Sequence, residues 1–174
     1  MITQAHAQTL KEQGEGFVSA LKNLHIKSLV GDGHLQLSLF DQTNLAEITS
    51  PRFPGERLVV CRNPLLQAER ERTREELLVA TEKQLEKVKR MVDGPRGSLR
   101  NADAGTIGKR VGADINKYNM AKHFTLTIAE GTFSYQRKTE HISQEAALDG
   151  IYVLRTTCPP EELSTQAVVR CTSN

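Results

Sequence analysis

Three cysteines, no long apolar run and almost no excess of either charge are the first features of this 174-residue chain. Cys61, Cys158 and Cys171 are odd in number and show no C-x-x-C spacing. That argues against a disulfide framework and a zinc ribbon, and leaves buried or incidental thiols. No stretch approaches the length needed to span a bilayer, and MITQAHAQTLK lacks the apolar segment of a signal peptide. The expectation is therefore no membrane partner and a cytoplasmic location. A formal net charge of +2 is too small to diagnose nucleic-acid binding by itself, so local clusters matter more. At 38% hydrophobic content the chain can bury one core or two small lobes.

Catalytic motifs are thin as well. His6, His25, His34, His123 and His141 are dispersed, without an H-E-x-x-H run or paired spacing. Gly31-Asp32-Gly33-His34 reads as a plain turn. The Gly105-x-x-Gly108-Lys109-Arg110 run lacks Walker spacing and suits helix packing or a loop better than a phosphate cradle. No G-x-S-x-G elbow marks a nucleophile. Asp32, Asp41, Asp103, Asp114 and Asp149 fall mostly in turns or at element ends, where capping is the ordinary role of aspartate. No cofactor and no small-molecule substrate are expected.

What is present is one long helix with marked ends, Asn63 to Val92. Asn63 is a good N-cap, Pro64 suits the first helical position, and Gly94-Pro95 supplies the stop. Between Gln67 and Glu76 only Ala68 is apolar, so this half must be solvated, supported by pairs such as Arg72 with Glu76. Leu78, Leu85 and Val92, with Val88 between them, form a narrow seam that fits one partner helix. The helix reads as an arm reaching to another part of the chain, a second subunit or a nucleic acid.

Around it, Thr3–Gln13 reads as a short helix, Phe17–Leu21 as a buried strand in an α/β rhythm, and Leu24–Val30 as a further helical turn or two. Leu35, Leu37 and Leu39 alternate like a half-buried strand, Leu45–Ile48 gives a second, and Leu58–Cys61 feeds directly into the long helix. Asp93–Asp103 has turn composition and two arginines, an exposed loop. Ala104–Met120 looks helical despite three glycines. Phe124, Leu126 and Ile128, then Phe133 and Tyr135 beyond Glu130-Gly131, mark a hairpin. Thr139–Leu148 is a helix candidate, Ile151–Leu154 a buried strand, and Pro159–Leu163 the entry to a final helix that meets the C-terminus before completing a face.

Basic residues form the most suggestive clusters. Arg52, Arg57 and Arg62 flank the strand into the long helix; Lys109, Arg110, Lys117 and Lys122 recur through the glycine-containing segment; Arg137 and Lys138 follow the hairpin. Such residues can neutralise phosphates and position DNA without reading its sequence, although a solvated face has the same composition.

Three stretches together resemble insertion-sequence transposases of the DDE class, in the group with a β-rich insertion before the last catalytic residue. They are LQLSLFDQTNLAEITSPRFPGERLVVCRNPLLQAERERTREELL, IGKRVGADINKYNMAKHFTLTIAEGTFSYQRK and ALDGIYVLRTT, and they cover most of the chain. The resemblance implies an RNase H-like fold whose two aspartates and glutamate hold two divalent metals such as magnesium for phosphodiester chemistry in DNA transposition. Of the Asp-Arg-Gly-Met run carrying the second aspartate only Met1 is left, and the chain ends at AVVRCTSN ahead of the glutamate helix. All three carboxylates are thus expected to lie outside this sequence, leaving no catalytic residue and no metal ligand within it. The implied fold is α+β: residues 1–30 and 149–174 as the fringe of an RNase H-like core, and 31–148 as an insertion with a helix over 64–92 and a hairpin over 123–137. Without the neighbouring strands of that parent sheet, strand edges are expected at Phe17–Leu21 and Ile151–Leu154. An inactive transposase fragment is the first expectation. The alternatives are a module that binds transposon-end DNA or an intact transposase subunit, and a structural dimer joined through the leucine seam.

Overall fold

The computed structural model describes residues 2–171; the expectations attached to Met1 and to the last residues of AVVRCTSN lie outside that range. The fold is α+β with antiparallel sheets, and no helix among the described residues is long and apolar enough to cross a membrane. The chain divides into two compact units. One comprises the chain up to Ala68 and from Leu148 onward; the other is the continuous stretch Glu69–Ala147.

The first unit is built on a four-stranded sheet of β1 (Val18–Ala20), β2 (Leu45–Ile48), β3 (Arg57–Arg62) and β6 (Ile151–Thr156), in the order β1-β6-β3-β2. Every pairing is antiparallel, which corrects the expected α/β rhythm. Leu58-Val59-Val60-Cys61 reads as an unbroken apolar run because β3 is interior and covered on both faces. Leu58 and Val60, with Ile151 and Val153, meet Ile26 and Leu29 of α2 (Asn23–Gly31) together with Phe40 and Phe53. On the opposite face Val59, Cys61 and Leu154 pack on Val168.

Helix α1 (Gln4–Glu12), capped by the Thr3 hydroxyl, buries only Ala7. Strand β6 lies between β1 and β3, so Ile151–Leu154 is interior and not the expected edge; the edges are β1 and β2. The alternation of Leu35, Leu37 and Leu39 does not make a strand. Leu37–Asp41 is a 3-10 turn in which Phe40 is buried and Leu39 is exposed. Gly33, at φ 76°, redirects the chain so that the Leu35 amide donates to the Leu29 carbonyl. The final helix α6 (Thr165–Arg170) starts at a Ser164 cap, later than expected, because the amides of Glu162 and Leu163 turn back onto the Pro159 carbonyl.

The long helix α3 (Pro64–Asp93) starts as the sequence marks it, with Asn63 Oδ1 accepting from the Leu65 and Leu66 amides at 3.0 and 3.2 Å. The boundary between the units falls inside this helix. Its second part is no free arm. Leu78, Leu85, Val88 and Val92 are buried against Ile107, Val111 and Ile115 of α4 (Ala104–Ile115) and against Phe124 and Phe133. The narrow seam is satisfied by a helix of the same chain plus a hairpin, since α4 buries residues at i, i+4 and i+8. That leaves no open seam for the dimer expectation.

The hairpin pairs β4 (Phe124–Ala129) with β5 (Thr132–Arg137) around Glu130-Gly131, with Gly131 at φ 61°. Helix α4 ends at Ile115, short of the expected Met120, and is followed by a 3-10 turn and the left-handed Asn119. Helix α5 (Thr139–Ala146) buries no residue fully.

Candidate nucleic-acid interface

The nine basic residues singled out in the sequence fall in both units, and most are already engaged. In the first unit, Arg52 pairs with Asp32 and holds that carboxyl below its usual range. Arg57 grips Glu47 on the neighbouring strand with two bonds of 2.8 and 2.7 Å, and its Nη1 donates to the carbonyls of Cys158 and Leu163. That guanidinium ties the segment after β6 to the sheet and has little left to offer a phosphate. Hydrogen bonding from Arg57, with a further bond donated by the Thr165 hydroxyl, lowers the pKa of Glu47. Arg62 donates to Gln67 at 3.0 Å.

The most deeply buried cation of this unit escaped sequence reasoning. Arg155, 4% exposed, donates to both oxygens of Glu56 at 2.6 and 2.7 Å and to Gln4 at 2.9 Å. Lys11 adds a second cation to Glu56 at 2.6 Å, and the Arg155 guanidinium sits 5.4 and 5.2 Å from the Phe17 and Phe53 ring centres. Its partners lie up to 151 residues away in sequence.

In the second unit, Arg137 donates to both oxygens of Glu82 at 2.7 Å and to Glu75 at 2.9 Å, which raises its already high pKa. The neighbouring Tyr135 hydroxyl reaches Glu86 at 3.2 Å, and burial, with that carboxylate, raises its pKa. These contacts lock the hairpin onto the solvated side of α3. Arg110 pairs with Asp114, Lys117 lies over the Tyr118 ring, and Lys122 binds Glu145 at 2.8 Å.

Lys109 and Lys138 are exposed, and no side-chain partner engages them among the described residues. Arg96 and Arg100 join this uncommitted set. Both lie in the expected exposed loop after α3, where their turn composition was legible but their lack of partners was not. Arg96 is unpaired among the described residues, and Arg100 donates only to the Pro95 carbonyl at 3.1 Å.

One titratable cluster was also missed because its members are distant in sequence. His123, 1% exposed, places Nε2 3.3 Å from Glu145, stands edge-on to His141, and has no partner for Nδ1. Burial lowers its pKa, opposed by the Glu145 charge. Among the described residues no group of three or more His, Cys, Asp or Glu side chains could hold a metal ion. The two metals implied by the transposase resemblance require a converging carboxylate set, which the described residues do not bring together. What the arrangement offers chemically is a few exposed cations, Arg96, Arg100, Lys109 and Lys138, whose side chains no acid neutralises among the described residues. Comparison with protein-family models, curated proteins and solved structures finds no match.

Proposed function

We propose that these residues are the region of a DDE-class transposase between its second and third catalytic carboxylates, with a DNA-contacting role and no phosphodiester chemistry of their own. One observation carries the reading. A compact unit, Glu69–Ala147, shorter than the expected insertion 31–148 because β2 and β3 belong to the sheet, is inserted between two strands that are hydrogen-bonded neighbours, β3 and β6. The insertion leaves and re-enters the sheet at adjacent points, since the Asn63 amide donates to the Gly150 carbonyl at 2.9 Å. Accessory units placed this way add a binding surface without interrupting the sheet, and the free cations of this one suit a polyanion. The parent family's RNase H-like core, transposon ends and divalent metals belong to the same proposal.

Incubating the chain with duplex DNA and magnesium tests it: salt-dependent binding without strand cleavage is expected. Metal-dependent nicking or strand transfer by this chain would sink the reading, and so would the absence of DNA binding. A second reading, a regulatory module that joins an intact transposase, is favoured by the same separation of an inserted unit from chemistry. It requires a mixed complex with the full-length enzyme in size-exclusion chromatography.

A further inference from the structure

We infer that the outward face of the β4–β5 ribbon docks in the major groove of double-stranded DNA, with the loop that bears Arg96 and Arg100 against its tip and Lys138 at its base supplying cations to phosphates. This rests on the DNA-contacting reading above and adds the surface and the groove it enters.

The ribbon separates two sets of side chains. Phe124, Leu126, Ile128, Phe133 and Tyr135 turn into the core of the unit. The other set, Thr125 opposite Gln136, Thr127 opposite Ser134 and Ala129 opposite Thr132, is exposed. None of these six is charged and five carry a hydroxyl or amide, so the face offers hydrogen-bonding groups without fixed charge. Thr125, Thr127, Ser134 and Gln136 make no side-chain hydrogen bond among the described residues. The ribbon itself is held rigid by Arg137 on Glu75 and Glu82, so its free groups are presented from a fixed backbone.

Cations lie at both ends. The Gly131 amide at the tip donates to the Ala102 carbonyl at 3.1 Å, and a Cβ at Gly131 would stand 3.1 Å from the Arg100 carbonyl. The loop bearing Arg96 and Arg100 is itself pinned, because the Leu99 amide donates to the Met91 carbonyl and a Cβ at Gly97 would collide with that oxygen. At the base, the Lys138 amide donates to the His123 carbonyl while its side chain is exposed. Six-residue strands span about 20 Å, far enough for the two ends to serve different phosphates.

The composition selects among partners. Single strands need exposed aromatic platforms, and the aromatic rings of this hairpin face inward. The A-form major groove of RNA is too deep and narrow for side-chain readout. A protein partner would call for an apolar or aromatic centre, which the face lacks. The B-DNA major groove admits a two-stranded ribbon, and threonine, serine and glutamine can hydrogen-bond base edges there. Glu130 in the turn, Asp103 next to Ala102 and Glu140 two residues beyond Lys138 are exposed acids that oppose a polyanion at the two ends, and Glu130 is the one on the ribbon itself.

The test uses the whole chain and a fluorescent duplex titrated over a range of salt concentrations, with circular dichroism to verify folding of each variant. R96A/R100A should flatten the slope of log K against log salt by about 1.8, at about 0.9 per phosphate contact. T127A/S134A/Q136A should weaken the preferred duplex about tenfold while leaving the slope unchanged, and E130Q should tighten binding. Methylation at guanine N7, in the major groove, should be blocked by the bound chain. Wild-type binding that neither set alters, or tighter binding to single strands, overturns the ribbon surface but leaves the nucleic-acid reading intact. A chain that binds no DNA removes that reading and this inference together.

Discussion

The two units use the same residue types for opposite purposes. In the sheet unit, charge is internal reinforcement: Arg155 is buried on Glu56 and Gln4, and Arg57 spends its donors on Glu47 and two carbonyls. In the inserted unit, Arg137 does comparable work on the helix, but Arg96, Lys109 and Lys138 are exposed and have no side-chain partner among the described residues. Basic residues therefore point to a polyanion only after those already bound to acids are set aside. Four perturbations break or sharpen this contrast.

The largest effect is expected at the buried pair. Glu56→Gln leaves the Arg155 charge without its partner in a closed site and should cost about 3–5 kcal/mol in chemical denaturation; a loss below about 1 kcal/mol would show that the charge is solvated. In the inserted unit the hydrophobic seam takes that structural place. Leu85→Ala, at a fully buried position, should cost about 2–5 kcal/mol without changing the mass in solution. A change of oligomeric state would return the seam to an intersubunit role.

Gly150 guards the re-entry point. Its φ is 74°, and a Cβ would stand 2.5 Å from the Asn63 carbonyl oxygen. Gly150→Ala should therefore cost about 1–3 kcal/mol, read as a lowered Tm, and unchanged stability would mean that the junction adjusts freely.

A smaller effect belongs to His123. Burial holds its folded pKa below the ordinary 6.5, so the unfolded chain binds the proton more readily. Its contribution is full above about pH 6.5 and is lost as pH falls from there through the lowered value. His123→Gln should flatten the fall in stability over that window; an unchanged profile would assign the acid sensitivity to other groups.

Local signals were legible wherever neighbours in sequence decide the structure. Asn63-Pro64 and Gly94 bracket α3, Glu130-Gly131 sets the hairpin, and the apolar run Leu58–Cys61 marks the strand that leads into α3. Leu35, Leu37 and Leu39 misled because alternation over so few residues also fits a tight turn that buries Leu35 and Phe40. The seam of α3 was visible but its partner was not, because the spacing of leucines says nothing about whether the covering helix belongs to the same chain.

The candidate interface was legible in the same partial way. Arg137 and Arg57 stand out as cations in the sequence, while the acids that neutralise them lie 55 and 10 residues away. Arg96 and Arg100 stood in a recognisable loop, but only the fold reveals which cations are left over.

The most direct measurement is the affinity of the wild-type chain for duplex DNA across a salt series, with magnesium present and cleavage monitored in the same samples. The expected result is binding that weakens steadily with salt while the DNA stays intact. Salt-independent binding, no binding, or strand cleavage would contradict the proposed DNA-contacting, non-catalytic role.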